Sequence, residues 1–255
     1  MPRPFDAYDM TPRPFSRPIS VIPRTGPKRS YEIAWQDEHG HSRFDTVLAP
    51  TDPILESTIA NVARGAVILT DTGNVPVEDL NPGDMIQTVE FGPLPVRWIG
   101  SYVVLPGSSD PQRAVTRLVR FSSDAFGLAK PSADLLLSES AHLLLKDAKC
   151  QPLYGLDQAY APARAFEDGA YVFSITPAAP VTVFNLAFDR HATIVANGIE
   201  IESFHPGPLV EFMGDNQMRV ASMRLFPHIA SLQQFGERST QRLTVYETSQ
   251  LRQAG

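Results

Sequence analysis

The sequence has a single cysteine, Cys150, among its 255 residues. One thiol can form no internal disulfide and offers no second thiolate for a zinc site. The cysteine content therefore does not indicate whether the protein works in an oxidising or a reducing compartment. We expect Cys150 to be a small, half-buried apolar side chain. Basic charge is also scarce, because 22 Lys and Arg stand against 28 Asp and Glu, a net charge of −6. Nucleic acid is therefore not an expected partner, since contacts with phosphates need a basic surface.

Long apolar runs are also missing. No stretch approaches the roughly 18 apolar residues of a membrane-spanning helix, and the segment MPRPFDAYDMTPRPFSRP contains no apolar signal core. We therefore expect no membrane partner and, by default, a cytoplasmic protein. Export without a cleaved signal is left open.

The segment before residue 56 has two parts. Residues 1–29 are rich in proline and arginine, which predicts a disordered, extended arm. Residues 30–55 contain two β-favouring runs, YEIAW and SRFDTVL, separated by the polar turn QDEHGH, which predicts a β-hairpin. The polar turn also offers candidate metal ligands, but a solvated turn needs the same residue types, and we expect no metal and no cofactor. These candidates are Asp37, Glu38, His39, His41 and Asp45.

Residues 56–207 consist of many short apolar runs separated by turn signals. Strands of this length and spacing predict a mainly β domain that closes or folds over on itself. Within it, NPGD at 81–84 predicts a type II turn, with the glycine at positive φ. Alternation in PVRWIG predicts that Val96, Trp98 and Ile99 are core residues and that Arg97 points outward.

Residues 208–255 are predicted to form a helical extension. Asp215 is a candidate N-cap for a helix through NQMRVASMRLF, and HIASLQQF predicts a second short helix that ends at Gly236. Earlier in the chain, VRFSSDAFGLAKPSADLLL carries serines but no glycine-flanked serine and no phosphate-binding glycine loop. It predicts a loop or short helix capped by Asp124.

Three separated motifs follow one another over about 61–207, namely NVARGAVILTDTGNVPVEDLNPGDMIQT, PVRWIG and FDRHATIVANGIEIESFHPG. Together, and in this order, they resemble the Hint (Hedgehog/intein) domain, most closely its bacterial form. The resemblance implies a horseshoe of long, curved antiparallel strands with pseudo-two-fold symmetry. This expectation agrees with the mainly β reading of the strand spacing.

The resemblance also implies that the first residue of the domain is a Cys or Ser that attacks the preceding carbonyl. Asn61 occupies this position. Covalent catalysis of this kind needs a thiol or hydroxyl, and a carboxamide nitrogen is delocalised into its own carbonyl. The nearest hydroxyls belong to Ser57 and Thr58. If the segment is a strand, four residues span about 13 Å, which is too far for attack.

A second implied position is a Thr-x-x-His that polarises the scissile amide. The best match runs from Glu139 to His142, so the histidine is kept while a carboxylate replaces the threonine. A general acid contributes roughly 10²–10⁴ in rate, but only when a nucleophile is present. The alternative, which we favour, is that His142 is a structural histidine satisfied by the backbone.

The closing motif keeps one of the implied catalytic residues, His191. Asn185 stands at the position of an assisting aspartate, and Glu202 and Ser203 replace the final His-Asn pair. Asp189 is predicted to orient the His191 imidazole from the same strand face, or else to form a plain polar pair at a strand end. Asn197 precedes glycine and is predicted to serve a hairpin turn.

Three functional hypotheses remain open. The first is a Hint domain that has lost self-processing and serves as a binding or structural module, with an unidentified protein partner left open. The second is an active self-cleaving domain that cuts near residue 60. The third is a conventional hydrolase or metal enzyme that uses His142, His191 and the carboxylates. The sequence identifies neither a substrate nor an oligomeric state.

Overall fold

The computed structural model of the chain describes residues 28–106, 117–207, 220 and 223–253. Nearly all of the predicted N-terminal arm lies outside these residues, as does the helix start predicted at Asp215. Among the described residues, no helix has the length and apolar character needed to cross a membrane.

Strands dominate the described residues. In chain order they are β1 Lys28–Gln36, β2 Ser42–Pro50, β3 Val62–Ala63, β4 Val67–Thr70, β5 Gly73–Pro76, β6 Met85–Thr88, β7 Gly92–Pro95, β8 Trp98–Val104, β9 Leu118–Phe121, β10 Leu135–Ser138, β11 His142–Leu145, β12 Ala159–Pro162, β13 Val172–Ile175, β14 Val181–Ala187, β15 Thr193–Ala196 and β16 Ile199–Glu202. The helices whose bounds lie wholly within the described residues are α1 Pro53–Ile59, α2 Cys150–Tyr154 and α3 Val245–Gln253, with 3₁₀ turns at Val77–Asp79, Ala163–Phe166 and Leu232–Phe235.

The strands form two antiparallel sheets. The first has the order β13-β9-β10-β3-β14-β8-β1-β2, and the second has the order β12-β11-β16-β15-β4-β6-β7 with β5 paired to β4. The prediction of a mainly β fold is confirmed. Strand β3 is only two residues long but lies between β10 and β14, so it places residue 61 at the middle of the first sheet.

The N-terminal hairpin is part of the first sheet. Strands β1 and β2 pair from Lys28 to Pro50, and β1 also pairs with β8. In the turn, the Asp37 carboxylate accepts the backbone N–H groups of His39 and His41 and pairs with Arg43. These contacts lower the pKa of Asp37 to about 2, the His41 backbone hydrogen bond first among them. The turn carboxylate is thus engaged in holding the hairpin.

Two large apolar clusters fill the fold. One lies around Ile68, Ile86 and Phe121, and the other holds an aromatic group around Trp98, Phe204 and Phe226. Val96 and Trp98 are fully buried and Ile99 nearly so, as the alternation predicted. The Trp98 indole N–H donates to the Leu225 carbonyl at 2.7 Å, which satisfies its one polar atom.

Two predicted turns are confirmed in the backbone. At 81–84 the glycine, Gly83, has φ +100°, and the Asp84 N–H donates to the Asn81 carbonyl. In the hairpin between β15 and β16, Asn197 and Gly198 both have positive φ. The Asn197 side chain also accepts the Val67 N–H at 2.6 Å, so it joins this turn to β4.

Helical structure departs from the predictions in two places, at 53–59 and at 228–235, whereas the segment after β9 forms the loop that was one of its two predicted alternatives. Residues 53–59 form α1, capped by Asp52, where a strand was assumed. The segment after β9 is a loop, in which Asp124 has φ +62° and accepts the Ala129 N–H. The second C-terminal piece does end at Gly236, but only Leu232–Phe235 is helical, as a 3₁₀ turn.

Helix α3 was not located by the sequence reasoning beyond the general expectation of a helical extension. Its Leu251 packs with Leu243 against Ala159 and Cys150, which starts α2. Cys150 is a free, fully buried thiol. It therefore acts as a small apolar side chain, more deeply buried than predicted.

Candidate functional site

Asn61 begins the domain at a fixed place in the first sheet. Its backbone N–H donates to the Phe184 carbonyl of β14 at 3.1 Å, and its carbonyl accepts the Ser138 N–H of β10 at 2.8 Å. The residue is 4% exposed. The Ala60–Asn61 peptide bond, at which the family resemblance places the reaction, is thus held rigidly between two strands.

The Asn61 side chain acts as a hydrogen-bond donor between two neighbours. Its Nδ2 donates to the Glu202 carbonyl at 2.7 Å and to Asn185 Oδ1 at 3.3 Å. Its Oδ1 is buried and has no hydrogen-bond partner among the described residues. The amide links β3 to β14 and β16 and presents no thiol or hydroxyl to the Ala60 carbonyl.

The carbonyl of Ala60 receives a hydrogen bond from a residue that the sequence reasoning missed. Ser138 Oγ donates to Ala60 O at 2.8 Å, from a fully buried position at the end of β10. Glu139, predicted for the polarising role, instead pairs with Arg117 at 3.7 Å on the rim of a neighbouring cavity. The signal in the sequence was the serine that ends the apolar run LLLS, because a buried hydroxyl must find an acceptor.

A cavity of ≈110 Å³ lies beside Asn61. It brings together four of the predicted site residues, namely Asn61, His142, Asn185 and Ser203, and adds Glu202 and Arg242. His191 does not line the cavity but contacts Glu202, which does. Glu139 does not line the cavity either. A volume of this size holds a few water molecules and excludes a large ligand.

Asn185 and Ser203 hold backbone as well as lining the cavity. Asn185 Nδ2 donates to the Thr58 carbonyl at 3.1 Å, which ties α1 to β14. Ser203 Oγ accepts the Ala192 N–H at 3.2 Å and fixes the chain before β15. Both side chains are therefore occupied by hydrogen bonds to the main chain.

Glu202 is the charged centre of the site. Its carboxylate lies 3.1 Å from His191 Nε2, 3.3 Å from His142 Nδ1 and 2.8 Å from Arg242 Nε. Burial alone would raise the pKa of this carboxyl, but the adjacent His191 ring and the Arg242 charge outweigh burial and lower it to about 2. The site therefore holds a buried, ionised carboxylate where the family resemblance implies a histidine.

His191 has a defined tautomer. Its Nδ1 accepts the backbone N–H of Ser239 at 3.0 Å, so the ring proton belongs on Nε2, facing Glu202. The predicted partner, Asp189, does not orient this ring, because its carboxylate pairs with Arg97 at 2.8 Å and is mostly exposed. Of the two alternatives for Asp189, the structure shows the second, a polar pair at a strand end, because its side chain turns toward solvent and Arg97.

His142 is more than a backbone-satisfied histidine. It lies beside Glu202 on the cavity wall with 16% of its side chain exposed. Burial lowers its pKa to about 4, against the opposing effect of the Glu202 carboxylate. His142 is therefore neutral near pH 7 and can donate one hydrogen bond to Glu202.

Ser57 and Thr58 are closer to Asn61 than the sequence predicted. Because they lie on helix α1, both line the cavity, and the distance expected for a strand was wrong. Both hydroxyls, however, donate to the Ile54 carbonyl, at 3.0 Å and 2.6 Å. The hydroxyl protons of Ser57 and Thr58 are therefore already engaged in hydrogen bonds within α1.

Part of the site comes from the C-terminal segment. Ser239 and Arg242 are positioned because residues 241–243 run alongside β12, with Tyr160 N donating to Gln241 O and Leu243 N to Tyr160 O. The Tyr160 hydroxyl lies 2.8 Å from Ser239 Oγ. No local signal in the sequence pointed to these residues, since contacts between positions 40 to 80 residues apart have no short-range pattern.

Metal binding is not indicated by the arrangement. Among the described residues no group of three or more His, Cys, Asp and Glu side chains could hold a metal ion. The carboxylate of the site is already neutralised by Arg242, whose Nε donates to both of its oxygens.

A family model and several solved structures are similar to part of the chain. No curated protein matches the chain. Among solved structures, the bacterial intein-like domain from Clostridium thermocellum is 16% identical, with a TM-score of 0.39, and the alignment covers 57% of this chain and 99% of that one. The GSH-linked, splice-inactive variant of the AceL NrdHF class 3 split intein is 8% identical, with the same TM-score, over 57% of this chain and 98% of that one. Residues 61–208 match the family model described as the Hint domain, and the chain therefore belongs to the Hint domain family.

Proposed function

We propose that this Hint domain does not cleave itself and that it works as an intact structural or binding module. The observation that carries the proposal is the Asn61 side chain. Its amide donates to the Glu202 carbonyl and to Asn185, so the position of the nucleophile is filled by a structural hydrogen-bond donor. An acyl shift needs a thiol or hydroxyl at this position.

The neighbouring hydroxyls do not replace the missing nucleophile. Ser57 and Thr58 donate to the helix backbone, and Ser138 Oγ donates to the oxygen of the Ala60 carbonyl. A hydroxyl that hydrogen-bonds to the carbonyl oxygen lies near the carbonyl plane, away from the approach to the carbon atom. Ser138 is thus suited to polarise the carbonyl and is poorly aligned to attack it.

The segment before residue 61 supports an intact module. Strand β1 lies between β8 and β2, and its Tyr31 and Ile33 share an apolar cluster with Trp98. Leu55 and Ile59 of α1 are fully buried in the same cluster. A cut after Ala60 would leave a fragment that is still bound to the rest of the sheet, so cleavage would not release a separate N-terminal product.

The experiment is intact-mass analysis of the purified chain with and without dithiothreitol or hydroxylamine. We expect one species at the full mass of 28.1 kDa under every condition. A break between residues 60 and 61 in the absence of protease would overturn the proposal.

Two variants sharpen this experiment. Asn61→Cys supplies a thiol while Ser138 still polarises the Ala60 carbonyl, and we expect it to cleave in the presence of dithiothreitol. Asn61→Ala removes the amide without adding a nucleophile and is the matched control. Cleavage of Asn61→Cys alone would show that only the nucleophile is missing, whereas cleavage of the natural chain would contradict the proposal.

The second candidate function is cleavage at the same bond by water. The observation in its favour is the polarised Ala60 carbonyl beside a cavity that contains His142 and Glu202. Hydrolysis in H₂¹⁸O would add one heavy oxygen to the new carboxyl terminus at residue 60, which mass spectrometry detects directly. This outcome would replace the first proposal.

A further inference from the structure

Among the residues that the structure describes, strand β2 is the edge strand of the first sheet. It is nine residues long, pairs with β1 on one side, and is the last strand in the sheet order. Long open edges are templates for pairing with another strand, and proteins usually protect them with prolines, bulges or inward-pointing charges. Strand β2 has a regular register along its whole length, and its one proline is its last residue.

The backbone groups that face this edge follow from the ladder. Gln36 N–H donates to Arg97 O of the segment before β8, while Asp37 N–H donates to His41 O across the hairpin. The backbone N–H and C=O groups of the odd-numbered residues of β1 therefore point toward β2. Because the register pairs Glu32 with Thr46, the backbone groups of the odd-numbered residues of β2 point toward β1. The backbone groups that point to the open side are the N–H and C=O of Phe44, Thr46 and Leu48.

One of these outward groups has a local partner. The Thr46 N–H donates to Asp45 Oδ1 at 2.7 Å, in an exposed contact between neighbouring residues. Pairing with another strand would exchange this contact for a ladder hydrogen bond and return the carboxylate to water. An exposed contact of this kind contributes little, so it is a weak obstacle to pairing.

The side chains at the same three positions form an apolar strip. Phe44 is 67% exposed and Leu48 is 58% exposed, on the face of the hairpin away from the buried Val47 and Ala49. Phe44 also borders an open groove on that face. Two large apolar side chains at the edge of a sheet, two residues either side of Thr46, are self-complementary under a two-fold rotation.

We propose that β2 pairs antiparallel with β2 of a second copy of this chain, about a two-fold axis at Thr46. In this register Thr46 lies opposite its own equivalent, and Phe44 of each copy lies opposite Leu48 of the other. The outward N–H and C=O groups at all three positions then form ladder hydrogen bonds. Aromatic and aliphatic side chains placed opposite each other stabilise such pairs. The interface is isologous and closes at two copies.

Like-charge repulsion and the missing N–H of Pro50 disfavour the two neighbouring registers. Shifting the axis to Asp45 would place the two Asp45 carboxylates directly opposite each other, which destabilises a pair. Shifting it to Val47 would bring Phe44 opposite Pro50 instead of Leu48, so that Phe44 loses both its apolar neighbour and a backbone donor, whereas with the axis at Thr46 Pro50 lies opposite only Ser42 at the end of the strand. With the axis at Thr46, Asp45 lies opposite Val47, so no like charges meet.

The area predicts a weak dimer. An aromatic side chain offers 150–250 Å², so the exposed parts of two Phe44 and two Leu48 side chains provide roughly 400–500 Å² of apolar surface. With the backbone edges this remains at or below the ~1,200 Å² at which standard interfaces begin. Because interfaces of this size are weak and transient, we expect a dissociation constant on the order of 10–100 µM.

Sedimentation equilibrium of the full chain from about 5 to 500 µM tests the proposal. We expect the weight-average mass to rise from 28.1 kDa toward twice that value. Thr46→Lys places two ammonium groups at the axis and is expected to weaken association at least tenfold. Leu128→Lys changes an apolar side chain that is 93% exposed elsewhere and is expected to leave association unchanged.

A charge pair tests the register itself. Phe44→Lys alone removes the aromatic contact and is expected to weaken the dimer. Combined with Leu48→Glu, it places the new ammonium group of each copy opposite the new carboxylate of the other, and we expect association to recover at low salt and to weaken as salt rises. Within one strand these two positions are about 13 Å apart, so recovery cannot come from a pair inside one copy.

Hydrogen exchange on the unmodified chain provides a readout that does not depend on a variant folding. We expect protection of the Phe44, Thr46 and Leu48 amides to increase with protein concentration, while the Arg43 and Val47 amides stay constant. A chain that remains monomeric at 500 µM overturns the proposal. So does protection that is independent of concentration and is lost when residues 1–27 are removed, because the arm would then occupy the edge.

Discussion

The two halves of the Hint site differ in what occupies them. At the Ala60–Asn61 bond the contacts are short, neutral hydrogen bonds from Asn61 and Ser138. At the closing strand, Glu202 gathers two histidines and an arginine in a buried ionic cluster. The first half holds the peptide bond between two strands and presents an amide at residue 61, where the proposed function requires that no attacking group be present. The second half has exchanged the expected His-Asn pair for a charge that must be neutralised by its neighbours.

This difference has an energetic consequence. A neutral hydrogen bond contributes about 0.5–1.5 kcal/mol, whereas removing one partner of a buried ion pair costs about 3–5 kcal/mol. The closing half of the site should therefore dominate the stability of this region. We expect substitutions to rank accordingly, with the buried charges first, the neutral contacts second and the surface pairs last.

Glu202→Ala is expected to have the largest effect. It would leave Arg242 and two histidines without their shared acceptor, in a position where only 4% of the glutamate side chain is exposed. We expect a loss of about 3–5 kcal/mol in the free energy of unfolding, measured by urea denaturation.

Glu200→Ala is the matched control for that variant. Glu200 lies two residues earlier on β16 and pairs with Lys146, but 33% of its side chain is exposed. Its removal should cost no more than about 1 kcal/mol. Equal losses for the two variants would show that opening the Glu202 cluster leaves no uncompensated buried charge.

Stability should fall as the pH is lowered from about 6.5 to 4. Burial lowers the pKa of His142 to about 4, while the unfolded chain takes up the proton near 6.5. Between these values the unfolded state binds more protons, so stability decreases as pH falls, by on the order of 3 kcal/mol for this group. Below pH 4.5 Glu202 adds to the loss, because its pKa is lowered to about 2 in the fold.

His142→Gln tests the origin of this pH dependence. The glutamine can still donate to Glu202 but does not titrate, so we expect a flatter stability profile between pH 6.5 and 4. His205 and His228 also have pKa values lowered to about 4 by burial and will retain part of the slope. His39→Gln, on the exposed hairpin turn, is the control. An unchanged slope in His142→Gln would place the titration elsewhere.

Ser138→Ala should cost less, because the contact it removes is neutral. The variant loses the hydrogen bond to Ala60 O and leaves the Ala141 N–H without its hydroxyl acceptor. We expect a loss of about 1–3 kcal/mol by urea denaturation. Ser174→Ala removes a hydroxyl that bonds to the exposed Glu167 and should change stability by less than about 0.5 kcal/mol.

The same substitution also sharpens the proposal for the Ala60 carbonyl. In the Asn61→Cys background, Ser138→Ala should slow dithiothreitol-induced cleavage by on the order of 10²-fold, as expected for the loss of one donor to a reacting carbonyl. Glu139→Ala should leave the rate unchanged, since Glu139 does not line the cavity beside Asn61. The opposite order of effects would restore the role that the sequence predicted for Glu139.

How much could be predicted from the sequence depended on the range of the interaction. The mainly β fold, the turn at Gly83 and the turn at Asn197 were all encoded in short patterns of turn residues and alternation. Helix α1 was missed because its seven residues, PILESTI, have the β-branched content of a strand, and its start depends on the Asp52 cap.

The site was predicted only where family motifs mark it. Asn61, His142 and Ser203 line one cavity as a result of β3, β11 and β16 meeting, and the motifs named them in advance. Arg242 and Ser239 were not found, because they reach Glu202 and His191 through the packing of the C-terminal segment on β12, which leaves no periodic trace. The direction of a side chain at the end of a strand, such as that of Asp189, also could not be predicted from the pattern of residues.

Asp189→Asn should have the smallest effect of the set. The Asp189 carboxylate is 66% exposed and pairs with Arg97, and exposed pairs contribute about 0–1 kcal/mol. We expect a change within about 0.5 kcal/mol in urea denaturation and no shift in the ¹⁵N resonances of the His191 ring, whose tautomer is set by Ser239 and Glu202. If the substitution instead moved those resonances, Asp189 would act on His191 in solution, and the closing half of the site would extend to the surface beside β8.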